Sequence, residues 1–390
     1  MTLNRRHFLG SALPLIALGA DAAARALPVA AAAPAAAGAT PAEEDSVVVF
    51  GGDDIPRTPA SQAARLARLL ESHAQMNDSY LNNGAVAQLE ARFSALLGKE
   101  DTVFMPTGTL ANHIALRLLC GEARHALVQQ ESHIYRDESD CVSTLSGINL
   151  VPLAAGKAEP TMAELGEAIG RAELGPYPIK VGAIAIESPV RRMKGATVPA
   201  AHVAEIAKLA RQHNIPMHLD GARLLLMCGI DGFDVKTYCA PFDTVYVSLY
   251  KYLGAPFGAV LSGTKAMMAR AREQRHLFGG TIYHGWEAAL PALDGLDGAV
   301  ARHTAIRSAG ERLLSALEKT PGFTVERVEH ASNIATLVLS SERQAGLDAR
   351  LKQANIKAGQ VSDGRLQLQF NETLLRRDTA YLLAAFAPAR

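Results

Sequence analysis

From about residue 60 the sequence alternates between segments with helical spacing of apolar residues and short, continuous apolar runs. The helical spacing predicts helices over 60–75, 85–97, 109–120 and 200–213. The apolar runs predict buried strands over 101–105, 125–129, 181–186, 215–219, 244–249 and 258–261. Such alternation is typical of a mostly parallel sheet covered by helices. We therefore predict an α/β fold.

The pattern changes after about residue 295, where a long helical segment covers 299–319. Further strand and helix pieces follow, ending at 364–370 and 378–386. The 390 residues are enough for two or three domains, and no internal repeat is present. We predict a large α/β domain over 45–295 and a smaller C-terminal α+β domain over 296–390.

The N-terminal 40 residues differ from the rest. Arg5 and Arg6 precede Phe8-Leu9 and a short apolar run, after which alanine and proline dominate up to about residue 40. A charged segment, a short apolar segment and Ala-x-Ala cleavage candidates are typical of a secretory signal, and the paired arginines are typical of the twin-arginine route. We predict a signal peptide and linker over 1–40 and a periplasmic protein without a membrane anchor after signal removal.

The composition limits the classes of binding partner that we expect. Lys and Arg number 39 and Asp and Glu also 39, with no long basic block, so nothing favours nucleic acid or a charged membrane surface. Small molecules are the expected partners. The four cysteines lack the spacing of a metal site or a disulfide framework. We therefore expect mostly buried thiols and no metal, and the sequence leaves open whether one pair of them forms a disulfide.

Reactive side chains follow three of the predicted strands. The turn Thr107-Gly108-Thr109 leads from a strand into a helix, where free N–H groups could bind a phosphate, although such turns are common. Asp220 follows a second strand and could simply pair with Arg223. Lys251 follows a third, where a lysine is usually a strand terminus that reaches solvent. In parallel sheets, functional residues gather at such strand ends.

Taken together, these groups meet the requirements of a pyridoxal phosphate site. Lys251 would form the imine, Asp220 would keep the ring nitrogen protonated, and the 107–109 turn would hold the phosphate. His133, just after another strand, would stack on the ring.

The same residues resemble the threonine aldolase and β-eliminating lyase group of fold-type-I pyridoxal phosphate enzymes, over about 48–380. The motifs are FMPTGTLAN at 104–112, SHIY at 132–135, HLDGAR at 218–223 and KYLGAP at 251–256. The resemblance implies a mostly parallel seven-stranded sheet with a smaller C-terminal domain, and a homodimer or homotetramer. It also implies that Arg223 and Arg365 hold the substrate α-carboxylate as bidentate partners.

The chain departs from the family at several positions. Val190 stands where the family has a catalytic histidine, and Tyr283 where it has an arginine near the cofactor phosphate. Asn82-Asn83 replaces an acidic pair. Tyr250 and Tyr252 flank the lysine, where the family has a small residue and glycine.

The resemblance favours cleavage of the Cα–Cβ bond of a β-hydroxy-α-amino acid such as threonine, giving glycine and an aldehyde. The base would be His133, a phosphate-linked water or His284. One alternative is β-elimination or racemisation, with Lys251 removing the Cα proton. An alternative of another class is a binding protein for the cofactor or an amino acid without turnover.

Overall fold

A computed structural model describes residues 46–73, 76–174 and 176–387. The predicted signal peptide over 1–40 lies outside these residues.

The strands alternate with helices as the sequence predicts. The strands are β1 (Val48–Phe50), β2 (Asp101–Met105), β3 (His125–Gln129), β4 (Asn149–Leu153), β5 (Val181–Glu187), β6 (Met217–Asp220), β7 (Thr244–Ser248), β8 (Ala259–Gly263), β9 (Phe323–Glu326), β10 (Ile334–Leu339), β11 (Ile356–Ala358) and β12 (Arg365–Gln369). The α-helices are Pro59–Ser72, Gly84–Leu97, Gly108–Cys120, His133–Arg136, Cys141–Ser146, Met162–Glu173, Ala200–Gln212, Val235–Cys239, Lys265–Leu277, Trp286–Leu296, Ala299–Glu318, Ser341–Gln344, Leu347–Gln353 and Thr379–Phe386. Short 3-10 helices lie at Arg191–Met193, Leu224–Met227 and Glu372–Arg376.

The central sheet has seven strands in the order β2-β8-β7-β6-β5-β3-β4. Neighbours from β7 to β4 are parallel, whereas β8 is antiparallel to both β2 and β7. The predicted α/β fold with a mostly parallel seven-stranded sheet is therefore confirmed. Strands β6 and β7 are buried at every position, as expected for strands covered by helices on both faces.

One strand of this sheet, β4, is not among the predicted strands. It lies at the sheet edge, is half-exposed along its length and contains Pro152, which only an edge strand or a bulge tolerates. Pro152 interrupts the apolar residues Leu150, Val151 and Leu153, and a proline inside an apolar run argues against a strand at the sequence level.

A second hydrophobic core belongs to the C-terminal residues. Strands β9, β10 and β12 form an antiparallel sheet in the order β12-β10-β9, and β1 pairs in parallel with β11. Phe50 packs edge-on against Phe370 and Phe386, so the segment at 48–50 contributes to this second core. The domain boundaries at 45, 295 and 296 remain a prediction.

In the described ranges, no helix is long and apolar enough to cross a membrane, and no group of His, Cys, Asp and Glu is arranged to hold a metal ion. The four cysteines are free thiols: Cys120, Cys141, Cys228 and Cys239.

Candidate active site

The sheet brings the predicted reactive groups to one edge. Asp220 is the last residue of β6. Lys251 follows β7, the strand that pairs in parallel with β6. Strand β2, which leads into the turn at 107–109, has the same direction as β7 because β8 is antiparallel to both. The carboxyl ends of all three strands therefore lie at the same side of the sheet, as in other α/β ligand sites.

A cleft of about 370 Å³ opens at this edge. Five of the predicted site residues line it: Thr107, Gly108, Thr109, His133 and Lys251. Tyr246 and Tyr250 contribute aromatic walls. The structure thus brings together the phosphate turn, the ring-stacking histidine and the lysine.

The turn at 107–109 is built to receive an anion. Thr107 caps the helix Gly108–Cys120, and its hydroxyl accepts a hydrogen bond from Leu110 N at 3.2 Å. The other N–H groups of the first helical turn lack helical partners and carry the positive end of the dipole. A Cβ on Gly108 would lie 2.0 Å from the Tyr246 hydroxyl, so no larger residue fits beside the cleft.

Asp220 is buried and held by two donors. Its Oδ2 accepts from Asn112 Nδ2 at 2.9 Å, and its Oδ1 accepts from Ala222 N at 3.1 Å. Asn112 Nδ2 also donates to Glu138 Oε1 at 2.9 Å. Because two carboxylates face this nitrogen, it must be the NH₂ end of the amide, and both its hydrogens are used.

The side-chain oxygen of Asn112 forms a hydrogen bond with the buried side chain of His218. His218 Nε2 lies 3.0 Å from Asn112 Oδ1, so this nitrogen donates, and Nδ1 accepts from the Thr244 hydroxyl at 2.8 Å. Burial lowers the pKa of His218 to about 4, which keeps the imidazole neutral. The floor beneath the cleft is therefore a hydrogen-bonded chain with its proton positions fixed.

Lys251 has the electrostatics of a reactive amine. Burial, followed by the charge of Arg223, lowers the pKa of its ammonium group, against the opposing effects of Asp220 and Glu187. Its Nζ lies 5.9 Å from the Tyr246 ring centroid and 5.7 Å from that of Tyr250. A lysine with a depressed pKa has a larger fraction in the neutral amine form, which is the form that adds to a carbonyl.

His133 is held at both its backbone and its ring. Its backbone N donates to Glu187 Oε2 at 2.6 Å, and its Nδ1 lies 2.9 Å from Glu138 Oε1. The hydrogen bond to Glu138 raises the pKa of His133, and burial opposes this increase. Burial, followed by the charge of Asp220, raises the pKa of Glu187 to about 7.

Arg223 does not pair with Asp220, which was the alternative open at the sequence level. Its Nε donates to Asp53 Oδ2 at 2.6 Å, and Asp53 Oδ1 accepts from Gln369 Nε2 at 2.5 Å. The guanidinium is thus positioned from one side, and its remaining N–H groups stay available to a carboxylate.

The structure does not bring Arg365 into the cleft. Its guanidinium is exposed and pairs with Glu326 at 2.7 Å. Gln369, four residues along β12, is the residue of that strand that reaches Asp53. Four strand residues span about 13 Å, which separates Arg365 from the Arg223 pair in this geometry. Its role as a carboxylate ligand remains a prediction from the resemblance.

Some of the residues that depart from the family are buried, and others are exposed. Val190 is fully buried among Ala158 and Ala196, so the position of the missing histidine is an apolar pocket. Tyr252 is buried edge-on against His303.

The other substituted positions are exposed. Tyr250 is 46% exposed at the cleft wall, and Tyr283 is 59% exposed and contacts Tyr80 edge-on. His284, a candidate base, donates from Nδ1 to the carbonyl of Asp78 at 2.6 Å and does not line the cleft.

Sequence reasoning missed the carboxylates that position the site. Glu138 lies five residues after His133, a spacing without helical meaning, and Asp53 is 170 positions from Arg223. Glu187 lies three residues before Val190 and had no role assigned from the sequence. A buried acid at the carboxyl end of β5 was the available signal for Glu187.

These residues fit pyridoxal phosphate. The turn at 107–109 would hold its phosphate, Lys251 its carbonyl carbon, and Asp220 its ring nitrogen. His133 would lie on the ring face. The fit rests on the cradle that a Cβ at Gly108 would fill and on a fixed carboxylate beside a desolvated amine.

Solved structures place the fold in a known class. A protein of Listeria monocytogenes EGD-E of the L-allo-threonine aldolase type has a TM-score of 0.73 at 23% identity, over 88% of this chain and 96% of its own. A structure of SPT with PLP has a TM-score of 0.64 at 16% identity, over 87% of this chain and 86% of its own. The fold is that of the fold-type-I pyridoxal phosphate enzymes.

The sequence identifies the family within that class. The profile of the beta-eliminating lyase family matches residues 60–340, and the chain belongs to this family. The probable low-specificity L-threonine aldolase 2 of Arabidopsis thaliana is 25% identical over 342 residues, 85% of this chain and 96% of the relative. The alanine racemase TOXG of Cochliobolus carbonum is 32% identical over 216 residues, 54% of this chain and 53% of the relative.

Family membership confirms the predicted resemblance. The predictions of a lyase-class enzyme and of pyridoxal phosphate as its cofactor are confirmed at the same level, because fold, family and site residues agree.

Proposed function

We propose that this enzyme cleaves the Cα–Cβ bond of β-hydroxy-α-amino acids, giving glycine and an aldehyde. The observation that carries this proposal is the presence of two separate basic groups, His133 and Lys251, in one cleft. Bond cleavage of this kind needs a base for the β-hydroxyl proton in addition to the amine that binds the cofactor. Relatives named as threonine aldolases, which match most of the chain, support it.

Each residue has a separate task in this reaction. When bound, the cofactor delocalises the electrons of a bond broken at Cα into its ring. Asp220, held rigid by Asn112 and Ala222, keeps a proton on the ring nitrogen. The turn at 107–109 anchors the phosphate, so that the ring keeps one orientation. Lys251 would hold the cofactor through its carbonyl carbon.

His133 accepts the β-hydroxyl proton and Arg223 binds the α-carboxylate. The position in which Arg223 holds the carboxylate would decide which bond at Cα is broken. Asp53 holds Arg223 at its Nε, which leaves the other guanidinium nitrogens for the substrate.

Product analysis tests the proposal. Purified protein incubated with threonine, serine and cysteine should release glycine and acetaldehyde from threonine, with little keto acid and ammonia. His133→Asn should lower kcat by about 10²–10⁴-fold, the usual contribution of a positioned general base, with the cofactor retained. Absence of glycine from threonine, with keto acid formed from serine, would make β-elimination the function.

Racemisation of a small amino acid is the second candidate. Two observations favour it: Val190 replaces the family base, and one relative is named an alanine racemase. Here Lys251 itself removes the Cα proton. Incubation of L-alanine in D₂O should then yield deuterated D-alanine, and this exchange should survive His133→Asn.

A binding protein without turnover is the remaining alternative. Both enzymatic candidates require the cofactor on Lys251, so borohydride reduction followed by peptide mapping should find a pyridoxyl group there. A labelled Lys251 in a protein inactive toward every amino acid would favour the binding protein.

We also propose export by the twin-arginine route and a homodimeric or homotetrameric enzyme. Arg5, Arg6 and the following apolar run support the first, and family resemblance alone supports the second. Arg5→Lys with Arg6→Lys should retain the full-length chain in the cytoplasm, whereas the native chain should appear shortened in the periplasm. Light scattering on the purified protein measures its oligomeric state.

A further inference from the structure

We propose that Glu138 is a positioning residue that fixes the proton of His133 on Nδ1 and so presents an unprotonated Nε2 to the cleft. This inference rests on the proposed function for its catalytic meaning, because that function makes His133 the base. Its geometry and its test stand apart from that function.

The first step concerns the shared oxygen. Glu138 Oε1 lies 2.9 Å from His133 Nδ1 and 2.9 Å from Asn112 Nδ2. Asn112 Nδ2 is the NH₂ end of its amide, because Asp220 accepts its other hydrogen. Oε1 is therefore already an acceptor, and a carboxylate oxygen of this kind accepts from the imidazole as well.

The second step assigns the imidazole. Imidazole is a stronger base than a carboxylate, so the proton between the two groups resides on Nδ1. When His133 is neutral, its other nitrogen is then an acceptor. Nε2 makes no hydrogen bond to any residue in the described ranges, and His133 lines the cleft. The arrangement has the logic of a carboxylate that holds a catalytic histidine in one tautomer.

The third step concerns where Glu138 is held. It is buried, and its Asn112 partner links it to Asp220, the carboxylate that would hold the cofactor's ring nitrogen. The side-chain amide of Asn112 thus holds both Glu138, which contacts His133, and Asp220. Burial raises the pKa of Glu138, and its hydrogen bonds to His133 and Asn112 oppose this.

Several charged groups act on His133 besides Glu138. Asp220 raises the pKa of His133 and Lys251 lowers it, whereas Glu187 accepts from its backbone N and Asp137 lies immediately after its helix. Glu138 is the group with a direct hydrogen bond to the ring.

Two variants separate the two parts of the proposal. Glu138→Gln keeps an acceptor oxygen for Nδ1 and for Asn112 but removes the negative charge. Glu138→Ala removes both. Glu131→Gln is the matched control, because Glu131 lies two residues before His133 and makes no hydrogen bond to its ring within the described structure.

The measurement uses the full-length holoenzyme with ¹⁵N-labelled histidine, with the His133 signals identified by their loss in His133→Asn. In the native protein and in Glu131→Gln, neutral His133 should show a protonated Nδ1 and an unprotonated Nε2. Glu138→Gln should keep this tautomer but titrate at lower pH, and the acidic limb of its kcat/KM profile should move down with it. Glu138→Ala should show mixed tautomers and a kcat reduced about 10–100-fold.

Either of two results would overturn the proposal: unchanged His133 titration in Glu138→Gln, or a single Nδ1-protonated tautomer in Glu138→Ala. If Glu138→Ala does not fold, Glu138→Gln still decides. Loss of the proposed function leaves the nitrogen signals readable, so the two failures are distinguishable.

Discussion

The floor and the rim of the cleft differ in how their residues are held. The floor, formed by Asn112, Glu138, Glu187, His218 and Asp220, is buried, and each of its side chains has at least two hydrogen bonds. The rim is formed by Tyr250, which lines the cleft and is 46% exposed. Tyr80 and Tyr283, which contact each other outside the cleft lining, are exposed to a similar degree. Floor residues match the family motifs where motifs cover them, whereas Tyr250 and Tyr283 are departures and Tyr80 lies two residues before another, Asn82.

This contrast has a physical reason. A buried polar group costs free energy unless it is paired, so changing one member of the floor leaves its partners unsatisfied. An exposed tyrosine has no such partners, and its replacement costs little. The floor therefore preserves the cofactor chemistry, and the rim can change which substrate enters.

Asp220→Asn provides the most severe test of the floor. The amide removes the negative charge at the ring nitrogen and cannot satisfy both Asn112 and Ala222 as the carboxylate does. We expect kcat to fall by about 10²–10³-fold, the usual cost of losing one preorganised electrostatic group.

Asp243→Asn is the control for this variant. Asp243 accepts from Met217 N at 2.7 Å, at the opposite end of β6 from Asp220. It should lose stability but keep its kcat. Equal losses of kcat in both variants would mean that general disruption of β6, and not the charge at the ring, explains the effect.

The sequence predicted the groups that line the cleft, together with Asp220 and most of the sheet. Lys251, Asp220, His133 and the turn at 107–109 lie where the strand ends and family motifs indicate. Apolar runs also located six strands of the central sheet. Buried parallel strands have a strong local signal, and the family motifs are contiguous in the chain.

The positioning groups were not predictable in the same way. Asp53 and Arg223 are 170 residues apart, and only the tertiary fold brings them to 2.6 Å. Glu138 resembles any acidic residue in a polar loop until its burial is known. Arg365 is a different case, since the resemblance implies a ligand whereas its guanidinium lies against Glu326, and its role stays a prediction.

The pH dependence of stability is the next largest effect. His218 has a pKa of about 4 when folded against 6.5 when exposed, so below pH 6.5 the unfolded chain binds a proton that the native state does not. Its contribution to stability is therefore present above pH 6.5 and lost as the pH falls toward 4, by about 3 kcal/mol at most. Glu187, with its raised pKa of about 7, acts in the opposite direction between pH 4.5 and 7.

His218→Gln isolates the histidine from Glu187. Urea unfolding at pH 7 and at pH 4.5 should show the penalty of this variant shrinking at the lower pH, because the native protein loses the contribution of a neutral His218. The exposed His276→Gln measures the background of losing one histidine. A penalty that stays constant with pH would contradict a neutral, buried His218.

Val190→His tests whether the missing family base can be restored. Val190 is fully buried against Ala158 and Ala196, so an imidazole there would be both oversized and unpaired. We expect a loss of about 2 kcal/mol in the free energy of unfolding and no gain in glycine formation from threonine. Val190→Ile is the apolar control. Faster threonine cleavage at unchanged stability would show instead that this position faces the substrate.

Arg365→Ala should have the smallest effect of these variants on stability and on KM. Its partner Glu326 is exposed as well, and exposed ion pairs contribute little to stability, so urea unfolding should not change measurably. KM should also stay near its native value, whereas Arg223→Ala should raise it, because Arg223 is the guanidinium that Asp53 holds beside the floor. Glu326→Ala controls for loss of the ion pair alone. A clear rise in KM for Arg365→Ala but not for Glu326→Ala would mean that Arg365 leaves Glu326 to bind the substrate, which would extend the binding site from the floor onto β12.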